Sequence, residues 1–132
     1  MIFVDTSFWV ALQNRRDDHH DTAASLLELH GDRQLVTTNH VRGETWTFLR
    51  RRAGHRDAVA FLDAIGRSPR IALVTVGQEQ EDAALRWLRR HDERTYSFVD
   101  ATSFAVMRDR RVTRALAFDG DFAAAGFEEL RP

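Results

Sequence analysis

MIFVDTSFWVAL, residues Met1 to Leu12, is the stretch whose reading decides the fold. Ile2-Phe3-Val4 is a short unbroken run of apolar, β-favouring residues, the pattern of a strand buried on both faces at the centre of a parallel sheet. Asp5 ends the run. A carboxylate is costly to bury without a partner, so an acid directly after a central strand belongs at the strand's carboxyl end, where open α/β sheets bind their ligands. Thr6 and Ser7 can cap a following helix that carries Phe8, Trp9, Ala11 and Leu12.

Composition narrows the rest. The 132 residues, 43% hydrophobic and 30% charged, suffice for one domain with a sizeable core and fall short of two, so 1–132 is read as a single domain. No apolar run approaches the roughly 18 residues that span a bilayer, and the N-terminus lacks the basic and apolar regions of a signal peptide. The expected compartment is the cytoplasm, with no membrane partner. Cysteine is absent, which removes disulfide scaffolds, thiolate metal sites and cysteine nucleophiles together. A formal net charge of −1, from 19 basic and 20 acidic side chains, leaves open their segregation onto different faces. Every basic residue is Arg. Chemistry that needs a lysine is thereby excluded, including P-loop phosphate binding, Schiff bases and phosphate-accepting receiver domains.

Beyond the first helix, the polar stretch from Asn14 to Asp21 reads as a loop leading to a helix with Ala23, Ala24, Leu26, Leu27 and His30 on its apolar side. Gly31-Asp32 stops it. Leu35-Val36-Thr37 is a second strand, and Thr38 or Asn39 can cap a helix from His40 to Arg52. Gly54 ends that helix, and another from His55 to Ile65 is closed by Gly66, Ser68 and Pro69. Ile71 to Val76, apolar throughout, is a third strand, followed by a helix to about His91. Ser97 caps a helix whose Phe98, Ala101, Phe104, Ala105 and Met107 form its buried face. A strand from Thr113 to Phe118, the Asp119-Gly120-Asp121 turn, a short helix from Phe122 to Ala125 and a segment from Phe127 to Leu130 complete the chain. Alternating strands and helices are the pattern of a doubly wound parallel sheet.

Acids fall at strand ends or helix starts in four stretches: Asp5, Glu44, Asp100 and the pair Asp119/Asp121. Singly each has a plain structural reading. Asp100 can complement a helix dipole, Asp119-Gly120 can be a turn, and Glu44 can be a solvated helix residue. Parallel crossovers, however, bring strand ends and following helix starts to one edge of the sheet. Carboxylates gathered there repel one another, raising their pKa values unless a cation is present. All-oxygen ligation without His or Cys favours a hard ion, Mg²⁺ or Mn²⁺, which can ionise water and neutralise charge developing on a phosphodiester.

FVDTSFWVAL, TTNHVRGET, YSFVDATSFAVM and ALAFDGDF resemble, in order, spacing and local sequence, the four acidic motifs of PIN-domain proteins, specifically the VapC-type toxins of bacterial toxin–antitoxin pairs. The likeness runs from Met1 to about Leu130. It implies a three-layer α/β/α fold around a mainly parallel sheet, and a Mg²⁺-dependent endoribonuclease in which Mn²⁺ can substitute. Its implied catalytic and metal-holding acids are Asp5, Glu44, Asp100 and Asp119, with Asp121 in or near the metal shell. Thr6, Ser7 and Ser103 fall where family members carry small hydroxyl residues near the site, although helix capping explains Thr6 and Ser7 equally well. The resemblance also implies an RNA substrate, a cognate antitoxin partner, a homodimer and a toxin–antitoxin hetero-oligomer.

Arg42, Arg50 and Arg51, with Arg52 and Arg56, and the later groups Arg89-Arg90 and Arg108 to Arg114, are candidates for a positive margin that holds an RNA backbone, against the plainer reading of solvated helix ends. The six histidines lack paired ligand spacing. Trp9, Trp46 and Trp87 read as core or dimer contacts. The rival to an enzyme is a non-catalytic PIN module that binds RNA or a protein, which an incomplete acid set would favour; here the set is complete.

Overall fold

The computed structural model describes residues 1–132. In chain order the elements are β1 (Ile2–Val4), α1 (Thr6–Gln13), α2 (His20–Leu29), β2 (Leu35–Thr38), α3 (Asn39–Arg52), α4 (His55–Arg67), β3 (Ile71–Val74), α5 (Gln78–Arg90), α6 (Phe98–Arg110), β4 (Arg114–Leu116), α7 (Asp121–Ala124) and β5 (Glu128–Glu129). The strands form one sheet in the order β3-β2-β1-β4-β5, and every pairing is parallel. β1 is central, its Ile2, Phe3 and Val4 fully buried as the apolar run requires.

The chain winds outward from β1 through β2 to β3, then returns past β1 to β4 and β5. Right-handed crossovers in that order put α1 to α4 on one face and α5 to α7 on the other. The packing agrees: α1 meets α2, α3 and α4, while α5 lies along α6 and α6 meets α7. Trp9 of α1, buried against Phe61 of α4 at 5.7 Å between ring centroids, ties the first face together. On the second, Phe122 of α7 packs edge-on to Phe104 of α6 at 4.9 Å and against Phe3 of β1 at 5.8 Å. The winding direction reverses between β1 and β4. The crevice at their carboxyl ends is therefore the switch point where open α/β sheets bind ligands.

Several local expectations are corrected. The residue that caps α1 is Asp5, whose side chain accepts from Ser7 N, whereas Thr6 and Ser7 already lie inside the helix. Thr38 caps α3, because its Oγ1 accepts from Val41 N at 3.0 Å; the Asn39 side chain is engaged instead by Val76 N at 2.8 Å. That bond takes Val76 out of the ladder, so β3 stops at Val74, short of the apolar run. β3 is also an edge strand, with Leu73 39% exposed, so unbroken apolarity there does not mean cover on both faces. Phe98 stands at the start of α6 and is 39% exposed rather than part of its buried face.

Candidate active site

Asp5 follows β1 directly and is 2% exposed. Its Oδ2 accepts from Ser7 N at 3.1 Å and from Ser7 Oγ at 2.7 Å, and its own N–H donates to Leu116 O of β4 at 3.1 Å. Ser7 Oγ in turn accepts from Phe118 N at 3.0 Å, so one hydroxyl joins the exits of β1 and β4. Thr37 Oγ1 fixes the same corner from β2, donating to Val4 O at 2.9 Å while accepting from Trp9 Nε1 at 3.4 Å. Burial pushes the Asp5 carboxyl up to about 8, negative Asp119 and Asp100 add to the rise, and the Ser7 bonds oppose it.

Asp100 enters from α6 through a reciprocal cap: its N–H donates to Ser97 Oγ at 2.9 Å, and Ser97 N donates to Asp100 Oδ2 at 3.0 Å. The cap fixes the carboxylate at the helix start, where burial raises it to about 7 against the pull of the Ser97 hydrogen bonds, with Asp119 and Asp121 adding repulsion. Asp119 and Asp121 flank Gly120, whose φ of 82° makes the sharp turn between β4 and α7. Burial raises the Asp119 carboxyl too; Asp121 and Glu129 add to the rise, and the bond from Asp121 N to its Oδ1 at 3.1 Å opposes it. Carboxylate oxygens of Asp100, Asp119 and Asp121 lie within 4.8 Å of one another.

Glu44 completes the set from α3, where Glu44, Phe48 and Arg52 recur at four-residue spacing and form one stripe. All five carboxylates line a single cleft of about 420 Å³, together with Thr6 and Ser7. Glu44 stands apart from the tight trio of Asp100, Asp119 and Asp121 but faces the same space. Thr6 Oγ1 is buried there without a hydrogen-bond partner. Ser103 does not reach the cleft: one turn deeper on α6 than Asp100, it is fully buried with an unpartnered hydroxyl.

Three clustered carboxylates and two further acids in one cleft repel one another when ionised, and oxygen donors so grouped could hold a hard divalent cation. The donors are all oxygen, and the unpartnered Thr6 hydroxyl adds to them. A model of the PIN domain family matches residues 2–128. The chain belongs to the PIN domain family. It is 57% identical over 132 residues, 100% of its own length and 99% of theirs, to proteins named 23S rRNA-specific endonuclease VapC20 in Mycobacterium tuberculosis strains CDC 1551 / Oshkosh and H37Rv. The crystal structure of M. tuberculosis VapC20, described as a sarcin-ricin loop cleaving toxin, matches with a TM-score of 0.93 and 56% identity, each chain covered over 100% of its length. Within the PIN domain family, its likeness is to the VapC-type toxins.

Residues that its motifs do not announce also meet the site in this PIN domain. Arg94, in the loop before α6, pairs with Asp121 Oδ1 through Nε at 2.9 Å and donates to Asp119 O at 3.2 Å. His19 stacks on Phe118 at the cleft wall, ring centroids 4.5 Å apart and 9° from parallel. No period or spacing joins His19 to Phe118 in the sequence; the fold of the loop before α2 brings them together. The arginines expected at the margin divide. Arg52 lines the cleft, whereas Arg50 and Arg51 do not, and Arg42 faces a different depression beside Leu62 and Leu73. Helical rotation explains the split, since only one stripe of α3 faces the acids.

Proposed function

We propose that this protein is a divalent-metal-dependent endoribonuclease, the toxin of a toxin–antitoxin pair, built as one PIN domain over residues 1–132. The observation that carries the reading is the convergence of Asp5, Glu44, Asp100, Asp119 and Asp121 on one cleft at the switch point of the sheet. Asp100, Asp119 and Asp121 would hold the cation, with Asp5 and Glu44 completing the negative shell; Mg²⁺ suits the all-oxygen donors and Mn²⁺ can replace it. A cation bound there supplies charge neutralisation at the scissile phosphate and acidifies water. One carboxylate accepts the proton of the attacking water, whose oxygen bonds to phosphorus in line with the departing ribose oxygen. The P–O3′ bond breaks and the departing oxygen takes a proton from solvent water, leaving a 5′-phosphate and a 3′-hydroxyl. Ser7 and Ser97 keep Asp5 and Asp100 in place throughout.

Identity of 57% to a 23S rRNA-specific endonuclease supports ribosomal RNA as the substrate class. The same likeness supports a cognate antitoxin, assembly as a homodimer within a toxin–antitoxin hetero-oligomer, and action in the cytoplasm. Asp5→Asn and Asp100→Asn are expected to abolish cleavage of 23S rRNA, followed by mapping new 5′ ends, while both variants keep their circular dichroism spectra. Calorimetric titration with Mn²⁺ should show binding to the parent and none to either variant. Undiminished metal-dependent cutting by both variants would refute the assignment.

A further inference from the structure

The acidic cleft is poorly suited to holding RNA by itself. Its lining presents Asp5, Asp17, Glu44, Asp100, Asp119 and Asp121 beside Arg52, and Arg94, just outside the lining, is already paired with Asp121. A polyanion brought to such a centre needs positive charge close beside it. Arg52 also belongs to a neighbouring pocket of about 590 Å³, lined by Arg15, Arg16, Arg52 and Arg56 with Asp57 its only acid. The ion pairs of the protein all lie elsewhere, so these guanidiniums have no carboxylate within 4.0 Å. Arg52 rests on the Phe48 ring at 4.8 Å, at the junction of the two spaces.

Local structure gathers this charge. Asp17 N donates to Asn14 O at 3.0 Å and Arg16 N to Asn14 Oδ1 at 3.1 Å, which closes a tight turn with Arg15 and Arg16 at its tip. On the opposite wall, α3 ends at Arg52 and α4 begins after Gly54, whose φ of 98° turns the chain and brings Arg56 back beside it. The helix dipole accounts for Arg52 at a C-terminus. It opposes Arg56, a cation in the first turn of α4.

We propose that this pocket is a phosphate subsite for the RNA backbone flanking the scissile bond, with Arg15, Arg16 and Arg56 gripping non-scissile phosphates and Arg52 marking the passage to the acids. The inference rests on the ribonuclease reading above. Continuity with the cleft favours RNA over an acidic protein segment, because a strand that places its phosphodiester among the carboxylates extends past Arg52.

The test is fluorescence anisotropy of a labelled RNA stem-loop with the Asp100→Asn protein in chelator, so that nothing is cut, across a series of salt concentrations. Adding Arg15→Ala with Arg16→Ala should weaken binding by about tenfold at low salt and lower the slope of log K against log[salt] by about 1.4, at roughly 0.7 for each phosphate no longer neutralised. Arg15→Lys with Arg16→Lys should retain most of the slope, which separates lost charge from a disturbed turn. Arg89→Ala with Arg90→Ala, which removes equal charge from the end of α5, should leave the slope near the parent's. An unchanged slope in the Arg15/Arg16 double variant overturns the subsite, as does loss of binding to an acidic peptide with RNA binding intact. Failure of the Asp100→Asn protein to bind RNA at all also overturns the subsite, whereas the ribonuclease reading stands or falls on cleavage of 23S rRNA by the parent.

Discussion

Asp5 is held as a helix cap and surrounded by negative neighbours, yet almost no water reaches it. Its carboxyl is raised from 3.8 to about 8, so between those values the folded, metal-free protein keeps a proton that the unfolded chain has shed. The stabilisation from that proton is complete below about pH 4 and is lost as pH climbs through 8. Metal-free stability should therefore fall across this window. Asp5→Asn, neutral at every pH, is expected to exceed the parent by on the order of a few kcal/mol at pH 8 and to match it near pH 4, as read by urea titrations in chelator. A variant less stable than the parent at pH 8 would show that the charged carboxylate is not penalised. The place of Asp5 in the cleft was legible because a central strand leaves an acid at its end few ways out to solvent. Arg94 gave no such sign, since an arginine in a loop acquires meaning only from the carboxylate it meets.

At the scale of elements, α6 shows how one hydrogen-bonded cap serves both folding and the site. Ser97 accepts from Asp100 N, and Ser97 N donates to the Asp100 carboxylate, so the group that starts the helix also aims the acid. Ser97→Ala should cost about 1 kcal/mol of stability and free the Asp100 side chain to rotate. Cation affinity by calorimetry should fall several-fold with it, and Ser97→Thr should restore both; an affinity untouched by Ser97→Ala would detach the cap from the site. The cap was readable from Ser97 followed by an acid three residues on. The bounds of β3 were not, because the bond from Val76 N to the Asn39 side chain that ends it comes from a helix far off in sequence. Arg42, Arg50, Arg51 and Arg52 share α3 and read alike as basic residues, but rotation about the helix axis admits Arg52 alone to the cleft.

For the whole molecule, a cation that binds only the folded cleft shifts the unfolding equilibrium by mass action. Mg²⁺ or Mn²⁺ at about 100 times its dissociation constant should add roughly 2.7 kcal/mol, or about 10 °C in Tm, and chelator should reverse the gain. Binding requires Asp5 and Asp100 to lose protons held up to about 8 and about 7, so the gain should grow from pH 6 to pH 8. Scanning fluorimetry at several pH values would read this, and a Tm indifferent to both ions would leave the carboxylates without their cation. The sequence by itself determined the order of strands and helices, the central place of β1 and the membership of the acids, because each depends on local periodicity and on which residue follows a strand. Tertiary structure alone decided which charges meet. The Arg94–Asp121 pair, the His19–Phe118 stack and the pocket joining Arg15 and Arg16 to Arg52 and Arg56 arise from crossovers and helix rotation, which set distances that no linear spacing encodes.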